Sequence, residues 1–114
     1  MQKIIIIIEN KTFEYTIGKS AYENHHIIDI SNPYDLWFHV SDYPSCHVIC
    51  KLENIRYNAK LFNKIIKQGA VICKQNCNLK NKKDLSISYT HLKNIKKTNI
   101  PGEVSLQNVK YINI

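Results

Sequence analysis

The stretch DLWFHVSDYPSCHVIC, residues 35–50, decides how this chain folds. Apolar residues alternate with other residues in both halves of it, which is typical of β-strands, because successive side chains in a strand point to opposite faces. Residues 41–45, which include Pro44, separate the two halves. A polar segment of that length suits a hairpin loop. The stretch therefore predicts an antiparallel hairpin.

The simplest register of this hairpin places His39 opposite His47, Phe38 opposite Val48 and Val40 opposite Cys46. One face of the hairpin is then apolar and belongs to the core. The other face is too polar for an ordinary core and too aromatic for an ordinary surface. It collects Asp35, Trp37, His39, His47, Ile49 and Lys51.

Three interpretations of that mixed face stay open. In the first, the histidines form local hydrogen bonds and Trp37 covers the sheet. In the second, Trp37 stacks on a nucleobase while the imidazoles and Lys51 meet phosphate. In the third, the face is a metal or catalytic site. A zinc ion there would need two ligands besides His39 and His47. A catalytic pair would join His39 to Asp35 or to Cys46.

The length and the cysteines limit the class of protein. A chain of 114 residues is predicted to form one domain, 1–114, with a core that needs neither disulfides nor metal. The isoleucine run 4–8 is too short for a membrane span or a signal peptide, so we interpret it as a buried strand. We expect a cytoplasmic protein that does not bind membranes and keeps its four cysteines reduced.

The sequence contains no motif of a metal, cofactor or catalytic site. Cys46 and Cys50 would stand about 13 Å apart along one strand, and Cys73 and Cys77 lack the usual zinc-knuckle spacing. P-loop, GxGxxG, HExxH and GxSxG motifs are absent. We therefore predict no catalytic residue, no metal and no cofactor.

The rest of the chain predicts an α+β fold: a mostly antiparallel sheet with one main amphipathic helix packed on a face. Strands 4–8 and 12–17 would form an opening hairpin, and Ser20 would cap a short helix with Glu23 in a capping box. Asn58 would cap the main helix, which runs to about Lys74. Its apolar positions fall on one side and four lysines on the other. The apolar positions are Leu61, Phe62, Ile65, Ile66, Gly69 and Cys73, and the lysines are Lys60, Lys64, Lys67 and Lys74.

The segments after this helix carry weaker signals. Residues 75–83 (QNCNLKNKK) are predicted to form a mobile loop, and 85–89 a strand. Residues 91–98 fit either a short helix or a turn. After a turn at 101–102, residues 104–106 and 109–112 are predicted to close the fold as a hairpin around 107–108.

The net charge of +7 is unevenly distributed. Residues 1–50 carry three lysines against six acidic residues, a balance of −3. Residues 51–97 carry eleven lysines and one arginine against two acidic residues, a balance of +10, and the remainder balances to zero. Such asymmetry within one domain favours a polyanionic partner. The alternative is that the lysines are only a solvated surface.

The order of short motifs along nearly the whole chain resembles the NFACT RNA-binding domain family, especially its short stand-alone branch. The motifs are GKSAYENHHII at 18–28, DLWFHV at 35–40, SCHVI at 45–49 and HLKNIKKTNIPGEVSLQN at 91–108. Two features depart from the family pattern. Cys46 stands where the family has a small residue before His47, and residues 75–83 look like an insertion.

The resemblance implies a non-catalytic nucleic-acid-binding module. RNA is the expected partner, as tRNA or ribosomal RNA, and DNA is possible. In large family members the domain acts with other modules in ribosome-associated quality control. These 114 residues include neither those modules nor the coiled coil of the stand-alone branch, so we do not expect docking through those parts.

The residues we expect to meet nucleic acid are Lys19, Trp37, His39, His47, Lys60, Lys64, Lys67, Lys93, Lys96 and Lys97. Two other functions remain as alternatives. One is a protein-interaction adaptor in translation quality control, with a ribosomal or other protein partner. The other is an enzyme that uses Asp35, His39 and His47.

Overall fold

The computed structural model describes residues 1–52 and 54–114, which begin with the predicted hairpin. Strand β1 (Gln2–Ile8) pairs antiparallel with β2 (Lys11–Gly18). Glu9 and Asn10 connect them with φ angles of 49° and 64°, the left-handed backbone that a tight two-residue hairpin turn requires. The opening hairpin is thus confirmed.

Helix α1 (Ala21–Asp29) follows directly and begins at the predicted cap. The Ser20 hydroxyl accepts a hydrogen bond from the Glu23 backbone N–H at 3.1 Å. The Glu23 carboxylate in turn accepts one from the Lys19 N–H at 3.1 Å. These bonds satisfy backbone donors that no helical carbonyl can reach.

The stretch 35–50 forms the centre of the sheet. Strands β3 (Leu36–Val40) and β4 (His47–Cys50) pair antiparallel with Phe38 opposite Val48, so the predicted register is confirmed. Strand β4 also pairs with β2, and β3 pairs with β5 (Ser86–His91). Both strands therefore have neighbours on each side.

The main helix, α2 (Ala59–Gln75), covers one face of this sheet. Asn58 caps it by accepting a hydrogen bond from the Leu61 N–H at 2.8 Å, and its last residue lies one position beyond the prediction. The helix lies very close to the strands, with Gly69 directly over the ring of Phe38. The Tyr15 hydroxyl donates to the Ile65 carbonyl at 2.9 Å, which ties the sheet to the helix backbone.

The complete sheet has the order β1-β2-β4-β3-β5-β8, where β8 is Lys110–Asn113, and all its pairs are antiparallel. Its second face is covered by α1 and by a two-stranded ribbon of β6 (Ile95–Lys97) and β7 (Val104–Leu106). A small second core lies there, made by Ile27, Trp37, Ile49, Leu92 and Ile95. The predicted α+β fold is confirmed.

Two predictions for the C-terminal third are wrong. Residues Leu92–Asn94 form one 3₁₀ turn, but Ile95–Lys97 is a strand and not part of a helix or turn. Strand β7 pairs with β6, and β8 pairs with β5, so the two last strands do not form a hairpin with each other. The physical reason is burial: β6 and β7 cover Trp37, whereas β8 extends the main sheet.

Strand β1 forms one edge of the sheet, and its isoleucines differ in burial according to the face on which they lie. Ile4, Ile6 and Ile8 pack on the core beneath α2. Ile5 and Ile7 point to the other face, where they are 57% and 72% exposed. The strand is confirmed, but the prediction that it is buried is wrong: it is half-buried on one side and exposed on the other, because it forms the edge of the sheet.

The four cysteines are free thiols, and the two described α-helices are not membrane spans. Cys46, Cys50 and Cys73 are buried and Cys77 is half-buried, all as free thiols. Neither of the two α-helices in the described part of the chain has the length and apolar composition needed to span a membrane.

Candidate nucleic-acid interface

Trp37, His39 and His47 form one compact group on the second face of the sheet. The Trp37 and His39 rings stack at 5.6 Å between centroids, with 7° between their planes. The His39 and His47 rings meet edge to face at 5.1 Å, as their predicted cross-strand positions require. The Trp37 indole Nε1–H donates to His47 Nδ1 at 3.1 Å.

Burial controls the charge of these histidines. Burial, together with the nearby His39 and His25, lowers the pKa of His47 to about 3. Burial also lowers the pKa of His39. Both rings are therefore neutral near pH 7, and the Trp37 bond places the proton of neutral His47 on Nε2. Neither imidazole supplies positive charge to a phosphate.

This geometry corresponds to the first of the three interpretations of the mixed face. Trp37 is 1% exposed and His47 is 2% exposed, whereas His39 is half-buried. The ribbon of β6 and β7 would have to move before Trp37 could stack on a nucleobase. In this conformation Trp37 and His47 therefore offer almost no accessible surface to a nucleic acid.

Asp35 does not form a catalytic pair with His39. Its carboxylate is fully buried and accepts hydrogen bonds from the backbone N–H groups of Asn32 at 2.9 Å and Leu52 at 2.8 Å. Asp35 and His39 are four residues apart along an extended chain, which separates them by about 13 Å. Asp35 thus holds two loops against the sheet.

A cleft of about 320 Å³ reaches both histidines but not Asp35. Its walls include Asp42, Glu103 and Tyr111. Two carboxylates beside neutral rings make it unsuited to phosphate. Within residues 1–52 and 54–114, no group of three or more His, Cys, Asp or Glu side chains is placed to hold a metal ion.

The predicted lysines do not form one surface. Lys60, Lys64 and Lys67 lie on α2, which covers the face of the sheet that carries Phe38. Lys96 and Lys97 lie on β6, on the opposite face, and Lys93 lies on the 3₁₀ turn that follows β5. Lys19 follows the end of β2. The sheet separates the lysines of α2 from those of β6.

Acidic residues already neutralise part of these sets. Lys64 Nζ lies 3.0 Å from Glu9 Oε2, and Lys97 Nζ lies 2.5 Å from Asp29 Oδ1. Lys93 lies over the ring of Tyr34 at 5.3 Å. The remaining predicted lysines have no ion-pair partner among the residues that the structure describes. They are Lys19, Lys60, Lys67 and Lys96.

Lys80, which is not among the predicted contact residues, lies in a cleft with Lys19. A polar cleft of about 550 Å³ contains Lys19 and Lys80 together with Ser45 and the amide side chains of Asn76 and Asn78. It contains no carboxylate among its lining residues. The lysines of residues 75–83 are visible in the sequence, but only the fold shows that this segment lies beside Lys19.

The comparisons with known proteins agree with the motif pattern. The sequence profile of the family described as NFACT protein RNA binding domain matches residues 3–108. Coiled-coil domain-containing protein 25 from Mus musculus is 30% identical over 95 residues, which are 80% of this chain and 44% of that protein. The same protein from Bos taurus is 28% identical over 95 residues, with the same coverage of both chains. The chain thus spans less than half the length of these relatives.

One solved structure shares the fold. It is described as the C-terminal of the fibronectin/fibrinogen-binding protein from Streptococcus suis, and it superposes with a TM-score of 0.81. The match covers 100% of this chain and 45% of that one at 16% sequence identity, so it shows the fold alone. The family profile extends over nearly the whole chain, and the motif order and the relatives agree with it. This chain therefore belongs to the family of NFACT protein RNA binding domains, which are nucleic-acid-binding modules.

Proposed function

We propose that this chain is a non-catalytic RNA-binding module that holds the phosphate backbone mainly through the lysine face of α2. Family membership supports RNA as the ligand class. Transfer RNA or ribosomal RNA in the cytoplasm is the ligand we favour, and DNA is the alternative polyanion. An adaptor that binds a ribosomal protein is the competing function.

The observation that carries this proposal is the composition of α2. Its 17 residues include four lysines and no acidic residue. A helix face that is only solvated usually carries both signs, because pairs at i and i+4 stabilise it. Lys60 and Lys67 are exposed and have no ion-pair partner among the described residues, so both are available to phosphate.

The test is a titration of purified protein with tRNA, single-stranded RNA and duplex DNA across a salt series. Each phosphate contact contributes about 0.7 to the slope of log affinity against log salt for a single strand, and about 0.9 for a duplex. The double variant Lys60→Gln and Lys67→Gln should therefore lower the slope by about 1.4 with single-stranded RNA. Lys3→Gln is the matched control, because Lys3 pairs with Glu14 on the acidic half of the chain.

The other predicted lysines can be ranked in the same assay. Lys96→Gln should lower the slope, whereas Lys97→Gln should have a smaller effect because Asp29 already neutralises that ammonium. Unchanged slopes in the Lys60/Lys67 double variant and in both the Lys96→Gln and Lys97→Gln variants would count against phosphate binding by these lysines. A protein partner that stays bound after nuclease treatment and at high salt would favour the adaptor.

A further inference from the structure

An open cleft lies between the first turn of α2 and the ends of β5 and β8, away from the histidine group. It has a volume of about 330 Å³, within the range of small-ligand sites. We name it the aromatic cleft. It is lined by Leu36, Phe62, Tyr89, Thr90, His91, Lys93, Asn94, Asn108 and Lys110. The lining contains two lysines and no carboxylate, so its charge complements a phosphate-bearing ligand.

Three aromatic rings form a nearly parallel ladder that ends in this cleft. Tyr57 and Phe62 stack at 5.0 Å between centroids with 12° between their planes. Phe62 and His91 stack at 5.9 Å with 13° between theirs. His91 lines the cleft and is only half-buried, whereas Tyr57 does not line it. A flat ligand ring placed on His91 would continue the ladder.

The orientation of His91 is fixed by one hydrogen bond. Its Nδ1 lies 2.9 Å from the Tyr34 carbonyl oxygen. A carbonyl can only accept, so Nδ1 carries the proton and Nε2 of the neutral ring is an acceptor. A ring presented in one orientation loses little freedom when a ligand stacks on it.

The polar wall of the aromatic cleft is also fixed before any ligand arrives. Asn94 Nδ2 donates to Thr90 Oγ1 at 2.9 Å, and Thr90 Oγ1 donates to the Asn108 carbonyl at 3.1 Å. The Gln107 N–H donates to the Asn94 carbonyl at 2.9 Å. Neither Lys110 nor Lys93 has an ion-pair partner among the described residues, and the Lys93 ammonium lies over the exposed Tyr34 ring, a contact that a phosphate could replace. Both ammonium groups are therefore available beside the ladder.

We propose that the aromatic cleft holds one unpaired base of a single-stranded RNA, stacked on His91, with neighbouring phosphates on Lys93 and Lys110. This inference rests on the proposed RNA-binding function and names the form of RNA that is recognised. Stacked aromatic rings beside lysines are how proteins bind unpaired bases, whose flat faces are hidden within a duplex. A bound base would distinguish this cleft from the lysine face of α2, which contacts phosphate in either form of RNA.

The test compares an RNA single strand, a chain of the same length without bases, and an RNA duplex. The wild-type protein should bind the single strand about tenfold more tightly than the base-free chain, since one base–aromatic stack contributes about that factor. His91→Leu should remove this tenfold preference, and His91→Phe should keep it because it retains a ring. Duplex affinity should not change in either variant.

Two controls separate stacking from charge and from misfolding. Lys110→Gln should lower the salt slope for the single strand by about 0.7 without removing the preference for bases. Tyr111→Leu removes an exposed ring next to Lys110 that lies in the other cleft, and it should leave every affinity unchanged. The comparison with the base-free chain uses the wild-type protein, so it holds even if a variant unfolds.

Equal binding of the normal and base-free chains would overturn the base site while leaving the RNA-binding function intact. So would a folded His91→Leu protein with wild-type affinity for the single strand. Failure to bind any RNA at low salt would instead refute the proposed function, and the base site with it.

Discussion

Replacing Gly69 with alanine should destabilise the protein, although alanine is the better helix former. Alanine in place of glycine inside a helix normally adds about 1 kcal/mol to stability. Here the new Cβ would lie 2.2 Å from Cζ and 2.4 Å from Cε1 of Phe38. That ring is fully buried and stacks on Tyr89 at 6.3 Å between centroids. The ring has little room to rotate away, so α2 must shift outward.

Overpacking of this kind costs about 1 to 3 kcal/mol, and a contact this short belongs at the upper end. We therefore expect Gly69→Ala to lower the free energy of unfolding by about 2 kcal/mol, measured by urea denaturation at pH 7. Asn63→Ala, an exposed change on the same helix, should instead raise it by a few tenths.

The double variant Gly69→Ala and Phe38→Leu tests the cause, because leucine removes the Cζ atom nearest the new methyl group. The double variant should lose at least 1 kcal/mol less than the sum of the two single losses. A Gly69→Ala protein as stable as the wild type, or strictly additive losses, would refute the close-packing argument.

Three further predictions concern buried polar groups. His47 has a pKa of about 3 when folded and about 6.5 when unfolded, so the unfolded chain binds the extra proton between these values and stability falls as the pH decreases below 6.5. Protonation at this site lowers the free energy of unfolding by about 1.4 kcal/mol per pH unit. The free energy of unfolding measured with urea should therefore differ less between pH 7 and pH 5 for His47→Gln than for the wild type. Asp35→Asn should reduce the free energy of unfolding by about 1 to 3 kcal/mol, because an amide NH₂ would face one of the backbone N–H groups from which the carboxylate now accepts a hydrogen bond. Asp42→Asn, an exposed change, is the control and should have no effect. Equal melting temperatures of the two variants would contradict this role of Asp35. Burial raises the pKa of Cys50 to about 12, so this thiol should react with a thiol reagent only on unfolding, and rapid labelling of Cys50 in the native protein, detected by mass spectrometry, would contradict its burial.

Elements with local signals could be predicted from the sequence. The caps at Ser20 and Asn58 act on N–H groups three residues away, so residue type alone indicates them. The register of β3 and β4 depends on one short loop and on alternation, both visible in residues 35–50. The last strands were predicted as strands, but β7 pairs with β6, a segment not predicted as a strand, and β8 pairs with the more distant β5. Nothing near residues 107–108 distinguishes a hairpin from a crossing between sheets.

The candidate site was less predictable, for a related reason. Alternation placed Trp37 and the two histidines on one face, but the ribbon that covers this face begins only at Ile95. The lysine pattern on α2 was visible, whereas the pairing of Lys64 with Glu9 depends on how the helix lies against the first hairpin. The aromatic cleft joins Phe62 of α2 to His91 at the end of β5, so no short sequence window contains it.

The exposed edge of β1 is a place where two molecules of this protein can associate. An unpaired strand edge with exposed Ile5 and Ile7 can pair with the same edge of a second molecule. At low ionic strength the net charge of +7 keeps molecules apart. On the proposed function, salt that releases RNA from the lysines also screens this repulsion. Edge-to-edge association is therefore most expected in a preparation from which nucleic acid has been removed in concentrated salt. Bound RNA would instead keep the protein molecules apart.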